Sequence, residues 1–300
     1  MRRSTHSLPW IIDKIRDFIS QTPDNRLVDF DGVPIFGQPV IGVADGDHPL
    51  FDDYRELVSP NHILPRNILR RYAANDADLS SVRVISWALP YSETIRQSQR
   101  KLSWPSRLYS LARNNGGALI HRLCLHLIDL CQNSGIAAVA PSVTKEYDAF
   151  RIPGLKFSSN WSERHVAFAA GLGRFGLNAS LITPLGSHVR FGSIVTNLDL
   201  EPAEVSSRNY CAPCLESGGG ECAACIERCP VGALSGKGMN KFRCNTMRKA
   251  VRRRHLSQYS QKMQMLTSPV VKNGTRKEGY SLGCALCQCG VPCEGVDPFR

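Results

Sequence analysis

Ten of the twelve cysteines in this 300-residue chain fall between positions 211 and 293, and only Cys124 and Cys131 precede them. That crowding constrains the fold more than any other feature. So many thiols in the last third of a chain must be crosslinked, bound to metal or left reactive. The N-terminus bears on the choice. Met1, Arg2 and Arg3 begin it, but Trp10, Ile11 and Ile12 run directly into Asp13, Lys14, Arg16 and Asp17, so the apolar core of an export signal is missing. No window approaches the roughly 20 apolar residues of a membrane span. We expect a cytoplasmic, reducing environment without membrane association, in which clustered cysteines act as metal ligands rather than disulfides.

Spacing narrows the metal. Cys222-Ala-Ala-Cys225-Ile-Glu-Arg-Cys229-Pro230 reads C-x2-C-x3-C-P, with Cys214 eight residues earlier and Val231-Gly232-Ala233 following. A loop of this length wraps three thiolates around one face of a 4Fe-4S cube, and in the bacterial ferredoxin run the cysteine before proline serves the other cluster. A second set must then exist. Cys244 and Cys284-Ala-Leu-Cys287-Gln-Cys289-Gly-Val-Pro-Cys293 supply it. The exchange rule assigns Cys214, Cys222, Cys225 and Cys293 to one 4Fe-4S cluster, and Cys229, Cys244, Cys284 and Cys287 to another. Cys211 and Cys289 are left over, and either could replace its neighbour, Cys214 or Cys287. Structural zinc is the competing reading, but zinc knuckles arrive as tidy C-x2-C pairs. Cys124 and Cys131, seven apart on one helix face, read as core residues.

The asymmetry divides the chain into an α/β part, 1–205, and a small cysteine-rich part, 206–300. In the first part, Ile11 to Ile19 has the spacing of a short amphipathic helix, and Val82 to Leu89 reads as a buried strand stopped by Pro90. The pattern from Pro105 to Asn133 is helical, with an interruption expected at Gly116-Gly117 and a cap at Gly135. Ile136 to Ala140 is a second strand. Strand, helix, strand favours a right-handed crossover and a sheet with helices on its faces. A helix over Ser162 to Ala170, with Ser162 as N-cap, and strand-like runs at Ala179–Thr183 and Val189–Leu198 complete this part.

Gly171-Leu172-Gly173-Arg174-Phe175-Gly176 matches the dinucleotide fingerprint G-x-G-x-x-G. That fingerprint needs a strand before the glycines and a helix after them, and here the order is reversed. A helix cap and tight turn is the plainer reading, although the glycines also permit a ligand close to the backbone.

Taken together, the chain resembles the epoxyqueuosine reductases and the catalytic region of the corrinoid-dependent reductive dehalogenases. Glu163-Arg164, the run Ala169 to Asn178, Leu181-Ile182-Thr183-Pro184, Val189 to Leu198 and the cysteine series carry the resemblance, over about residues 80 to 295. It implies an α/β (α+β) fold: a nitroreductase-like corrinoid-binding sheet domain over 1–205, then a small bacterial ferredoxin-like two-cluster domain over 206–300. It also implies base-off cobalamin fed with electrons by two 4Fe-4S clusters, and cofactor contacts from Glu163, Arg164, Gly171, Gly173, Gly176, Asn178, Arg190, Gly192 and Ser193. Two departures stand out. Epoxyqueuosine reductases carry an acidic residue six positions before the Glu-Arg pair, as proton donor to the opened epoxide, where this chain has Phe157. The second cysteine motif is altered to C-x2-C-x5-C, with Glu294 in place of proline.

The resemblance therefore implies an iron-sulfur oxidoreductase acting on an unidentified small molecule or modified nucleoside. The alternatives are a non-catalytic electron carrier or corrinoid-reactivating partner, and an epoxyqueuosine reductase acting on tRNA. Tyr147, Asp148 and His165 are the candidate catalytic residues, His165 because imidazole exchanges protons near neutral pH. Their plainer readings are surface loop for the first two and an exposed helix start for the third. A basic run, Lys241, Arg243, Arg248, Lys249, Arg252, Arg253, Arg254 and His255, accounts for much of the net charge of +11. It suits either a nucleic-acid phosphate backbone or, without base-stacking aromatics, an acidic electron donor such as flavodoxin or ferredoxin. Two oxidised clusters, each roughly −2 with its four thiolates, would bring +11 to about +7.

Overall fold

The computed structural model describes residues 7–152, 156–220, 222–259, 261–272 and 274–300, so the basic start Met1 to Arg3 lies outside the described residues. Its centre is a four-stranded sheet of β1 (Val40–Asp45), β2 (Arg83–Pro90), β3 (Ala138–Val139) and β4 (Val189–Thr196), in the order β1-β2-β4-β3. Every neighbouring pair is antiparallel. β2 and β3 nevertheless run parallel, because β4 is inserted between them. The expected strand-helix-strand crossover is therefore present, spread over one intervening strand.

Strand alternation decides the layers. Ile85, Trp87 and Leu89 of β2 and Ile194 of β4 point into one core with α1 (Leu8–Gln21), through Ile11, Ile15 and Ile19. Val84, Ala88 and Val195 point the other way, toward α2 (Leu50–Leu57) and α3 (Pro65–Tyr72). α4 (Arg107–Asn133) joins the first core through Leu119, Leu123 and Leu127, and α5 (Glu163–Ala169) joins the second through Val166 and Phe168. The result is a sheet covered on both faces. Each large apolar side chain buried this way contributes about 1.5–3 kcal/mol.

Several glycines are fixed by what lies against them. α4 runs unbroken through Gly116-Gly117, contrary to the expected interruption, and a Cβ on Gly116 would lie 2.6 Å from Phe36 Cζ. Close packing of α4 on the first core therefore sets this position. Gly135 ends the same helix at φ +72, with its N–H bonded to Gln132 O and that of Ile136 to Cys131 O. β1 carries no expectation from the sequence reading. Its Gly42 abuts Ala170 O, which a Cβ would approach to 2.1 Å.

From residue 206 onward the chain wraps onto the sheet layers. Short helices at Pro213–Glu216 and Ala224–Glu227 lead to α6 (Lys241–Tyr259) and a hairpin of Ser268–Lys272 with Thr275–Gly279. Leu177, Cys225, Leu234 and Val291 form a small core of their own, but Met263 packs into the core beneath α4. Ser187 N–H donates to Cys293 O at 2.7 Å and His188 N–H to Glu294 O at 3.2 Å, tying the last cysteine to the start of β4. Among the described residues, no helix is long and apolar enough to cross a membrane.

Candidate metal and catalytic site

Tertiary folding gathers the cysteines into two groups. Cys214, Cys222, Cys225 and Cys293 line one cavity with Leu177, Val291 and Phe299. Burial pushes the Cys225 thiol up to about 12, with Cys293, Cys214 and Cys222 near enough to add to it. Cys293 enters this group from 68 or more residues downstream of the others, carried there by its backbone bond to Ser187. Cys229 lies beside Cys244, Cys284 and Cys287. Burial lifts Cys284 to about 11, with Cys244 and Cys229 as neighbouring charges, and burial raises Cys287, with Cys284, Cys244, Cys225 and Cys229 around it. Each group offers four sulfurs, the donor set of a 4Fe-4S cube.

The two leftover cysteines lie elsewhere. Cys211 sits in a β-bridge with Phe175, and burial, then Glu216, raises its thiol. Cys289 is fully buried beside His188, with Sγ 3.1 Å from Nδ1. Cys124 and Cys131 are core residues, as the spacing suggests.

A second cluster of polar groups forms where α5 meets β4. Glu163 opens α5, and its Oε2 accepts from Ser193 Oγ at 2.7 Å, which in turn accepts from Trp161 Nε1 at 3.1 Å. Glu163 Oε1 is buried with no hydrogen-bond partner. Burial pushes this carboxyl up to about 7 against the pull of the Ser193 bond, so it exchanges its proton at neutral pH. Tyr147 lies beside it, its hydroxyl raised by burial and then by the Glu163 charge. Asp148 follows Tyr147 with Oδ1 likewise buried and without a partner. A helix-opening Glu after Ser looks like dipole complementation in sequence; only burial marks Glu163 as an acid.

His165 is placed differently. Its Nδ1 is 2.7 Å from Ser162 Oγ and its Nε2 3.0 Å from Tyr210 OH, between the rings of Tyr54 and Phe175. Burial, then Arg164, lowers it to about 3, leaving a neutral imidazole with both nitrogens engaged. That suits a structural histidine, not a proton donor. The Ser162 hydroxyl is paired with this ring and makes no N-cap bond to α5.

The glycine run is a helix stop. Gly171, at φ +74, sends its N–H to Phe168 O while Leu172 N–H reaches Ala167 O, the paired bonds of a Schellman cap. A Cβ on Gly173 would lie 2.1 Å from Ile182 O, and one on Gly176 2.8 Å from Ile182 Cδ1. Gly192 faces Trp87, whose Cζ2 would be 2.6 Å from an added Cβ. These four glycines, among the nine residues expected at the cofactor, are each set by backbone conformation or close packing. Asn178 donates from Nδ2 to Cys287 O at 3.1 Å, bridging the glycine run to the cysteine segment.

Arginines converge between these two sites. Burial lowers Arg164, with Arg113, Arg248 and Arg190 as neighbouring like charges and Cys287 as an offsetting one. Arg113 packs against Gly283, next to Cys284, and Arg248 is held near Cys244. Among the described residues, none of these four arginines pairs with a carboxylate. Guanidiniums gathered here without a carboxylate suit an anionic group between them.

No protein-family model matches the chain. Its sequence is 24% identical over 194 residues to the epoxyqueuosine reductase of Bacillus subtilis, covering 64% of this chain and 42% of that protein. A stretch of 73 residues is 47% identical to the epoxyqueuosine reductase of Gloeobacter violaceus, 24% of this chain and 20% of that one. The chain is similar in sequence to epoxyqueuosine reductases. It spans about two fifths of the Bacillus subtilis protein. The epoxyqueuosine reductase structure from Streptococcus thermophilus aligns at TM-score 0.49 and 18% identity, covering 97% of this chain and 69% of that one. An epoxyqueuosine reductase with an epoxyqueuosine-modified tRNA stem loop aligns at 0.47 and 18%, covering 88% and 66%. A catabolic reductive dehalogenase in complex with 3-bromo-4-hydroxybenzoic acid aligns at 0.40 and 12%, covering 70% and 27%.

Against the epoxyqueuosine reductase pattern, the position of the expected acid falls on Phe157, in the hairpin of Ala149–Ile152 with Lys156–Ser159 and opposite Arg151. The basic run lies along α6, where Lys241, Arg243, Arg248, Lys249, Arg252, Arg253 and Arg254 are exposed. His255 is the exception, buried and lowered to about 4 by burial and then Arg107.

Proposed function

We propose that the chain is a reductase of the epoxyqueuosine type, drawing electrons through two 4Fe-4S clusters and acting on an epoxide-bearing nucleoside within tRNA. The observation that carries this is the crossing of the two cysteine motifs, with Cys293 joining Cys214, Cys222 and Cys225 while Cys229 joins Cys244, Cys284 and Cys287. Four converging thiols per group fit a cube, and a zinc knuckle has no need to trade a ligand between motifs. The names of the curated relatives favour this substrate over an unidentified small molecule.

The corrinoid is judged on the polar groups near α5. Asp148 Oδ1, buried without a partner beside Tyr147, would be satisfied by an amide on the rim of such a ring, and Glu163, Arg190, Arg164 and Ser193 border the same region. These residues fit it. Bound there, a corrinoid supplies a low-potential cobalt centre for reduction.

The chain's own residues do the remaining work. Glu163 holds a proton at neutral pH, and Ser193 with Trp161 fixes which oxygen stays free to deliver it. An opened epoxide oxygen is basic and takes that proton, which replaces the acid missing at Phe157. Arg113, Arg164, Arg190 and Arg248 offset the negative charge of a reduced cluster. The exposed basic face of α6 suits either the tRNA backbone or an acidic low-potential donor such as flavodoxin or ferredoxin.

Anaerobic reconstitution followed by iron, sulfide and cobalt analysis tests the cofactors, and turnover of epoxyqueuosine-bearing tRNA tests the substrate. About eight irons with bound corrinoid and loss of epoxyqueuosine are expected. Eight irons without corrinoid affinity would leave an electron carrier; zinc without sulfide would remove the reading altogether.

A further inference from the structure

Cys289 belongs to neither cysteine group, yet its surroundings are unusual for a spare thiol. It is 0% exposed, as are His188 and Gln99, and Glu294 is 7% exposed. Its Sγ lies 3.1 Å from His188 Nδ1, and the three ligand atoms of His188, Cys289 and Glu294 all fall within 4.8 Å of one another. Two oxygens of these side chains have no partner, Glu294 Oε1 and Gln99 Oε1. Gln99 presents Nε2 to Cys289 Sγ at 3.5 Å, and a half-turn of its carboxamide would present Oε1 instead. Buried polar atoms without partners are rare and call for an explanation.

We propose that His188, Cys289, Glu294 and the side-chain oxygen of Gln99 bind one divalent cation of the zinc class at the seam between the sheet and the C-terminal segment. One sulfur, one nitrogen and two oxygens make a tetrahedral donor set that zinc accepts, with donor atoms about 3.5 Å apart. Binding releases the Cys289 thiol proton to solvent, so the cation's two charges are matched by one thiolate and one carboxylate. Arg100 engages only Oε2 of Glu294, at 2.8 Å, leaving Oε1 available. The nearby guanidiniums of Arg96 and Arg100 also share Glu93, at 2.8 and 2.7 Å. Gln99 follows β2, His188 precedes β4, and Cys289 and Glu294 flank the entry of Cys293 into its group. The cation pins that entry in place.

This site is independent of the reading of the eight other cysteines, because its metal is distinct from iron. The test is elemental analysis of the cluster-loaded protein after dialysis against zinc and then against buffer alone. One zinc per chain besides the iron is expected, falling at least about tenfold in Cys289→Ala and in His188→Gln with iron and sulfide retained. Zinc-edge X-ray absorption of the unaltered protein gives a second readout that requires no variant. A first shell of one sulfur and three lighter atoms supports the site; a four-sulfur shell, or no retained zinc, overturns it.

Discussion

Ser193 Oγ donates to Glu163 Oε2 at 2.7 Å, joining the second residue after Phe191 in β4 to the first turn of α5 across the sheet edge. The bond holds one oxygen of a buried carboxyl while the other stays without a partner. Burial outweighs the bond, so the group keeps its proton to about pH 7.

Turnover by the protonated acid should fall about tenfold per pH unit above pH 7, and Glu163→Gln should abolish turnover while retaining iron and corrinoid. His165→Gln should leave that alkaline limb where it is. Rates measured across pH 5.5 to 9 check both.

The same carboxyl gives stability a pH dependence. Its ordinary value is 4.5 and its folded value about 7, so the unfolded chain ionises first as pH rises. Stability is full below about 4.5, declines across the window up to about 7 and is level above it. Glu163→Gln removes this loss and should gain up to ~3 kcal/mol at pH 8 but nothing near pH 4, read by thermal or urea melts at the two pH values.

Gly192 tests packing against cofactor contact. Gly192→Ala places a methyl 2.6 Å from Trp87 Cζ2 and should cost about 1–3 kcal/mol, with corrinoid bound per folded chain unchanged. Undiminished stability with lost corrinoid binding would show instead that the glycine serves the ligand.

The crossed cysteine groups predict which variants resemble one another. Cys225→Ser and Cys293→Ser should remove the same cluster signal in EPR spectra, while Cys229→Ser removes the other. Pairing of Cys225 with Cys229 in loss would refute the exchange.

Arg248 lies near Cys244 and is lowered by burial and then by Arg113. Removing its charge in Arg248→Gln should make one cluster potential more negative by on the order of tens of millivolts, measured by redox titration.

Much of this protein is readable residue by residue. The near-continuous apolar run of Val84 to Leu89, the helical spacing before Gly135 and the misplacement of the glycine fingerprint all depend on local backbone geometry, which a sequence carries directly. The cysteine spacing likewise marks metal chemistry, because a short loop can present only a few sulfurs to one cube. The sequence marks His165 for proton transfer by its type alone, but Ser162 and Tyr210 occupy both nitrogens. Glu163 went unnoticed as an acid because desolvation comes from the packing of α5 on β4, which no local pattern records.

The sequence by itself determined the covered sheet, the helix stops and the presence of two sets of cysteines, since those follow from side-chain period, glycine conformation and short spacing. Only the tertiary structure decided where Cys289 goes, which oxygen of Glu163 is free and why four arginines meet. Each depends on segments that are far apart in the chain and adjacent in space, where burial and neighbouring charge change what a side chain can do.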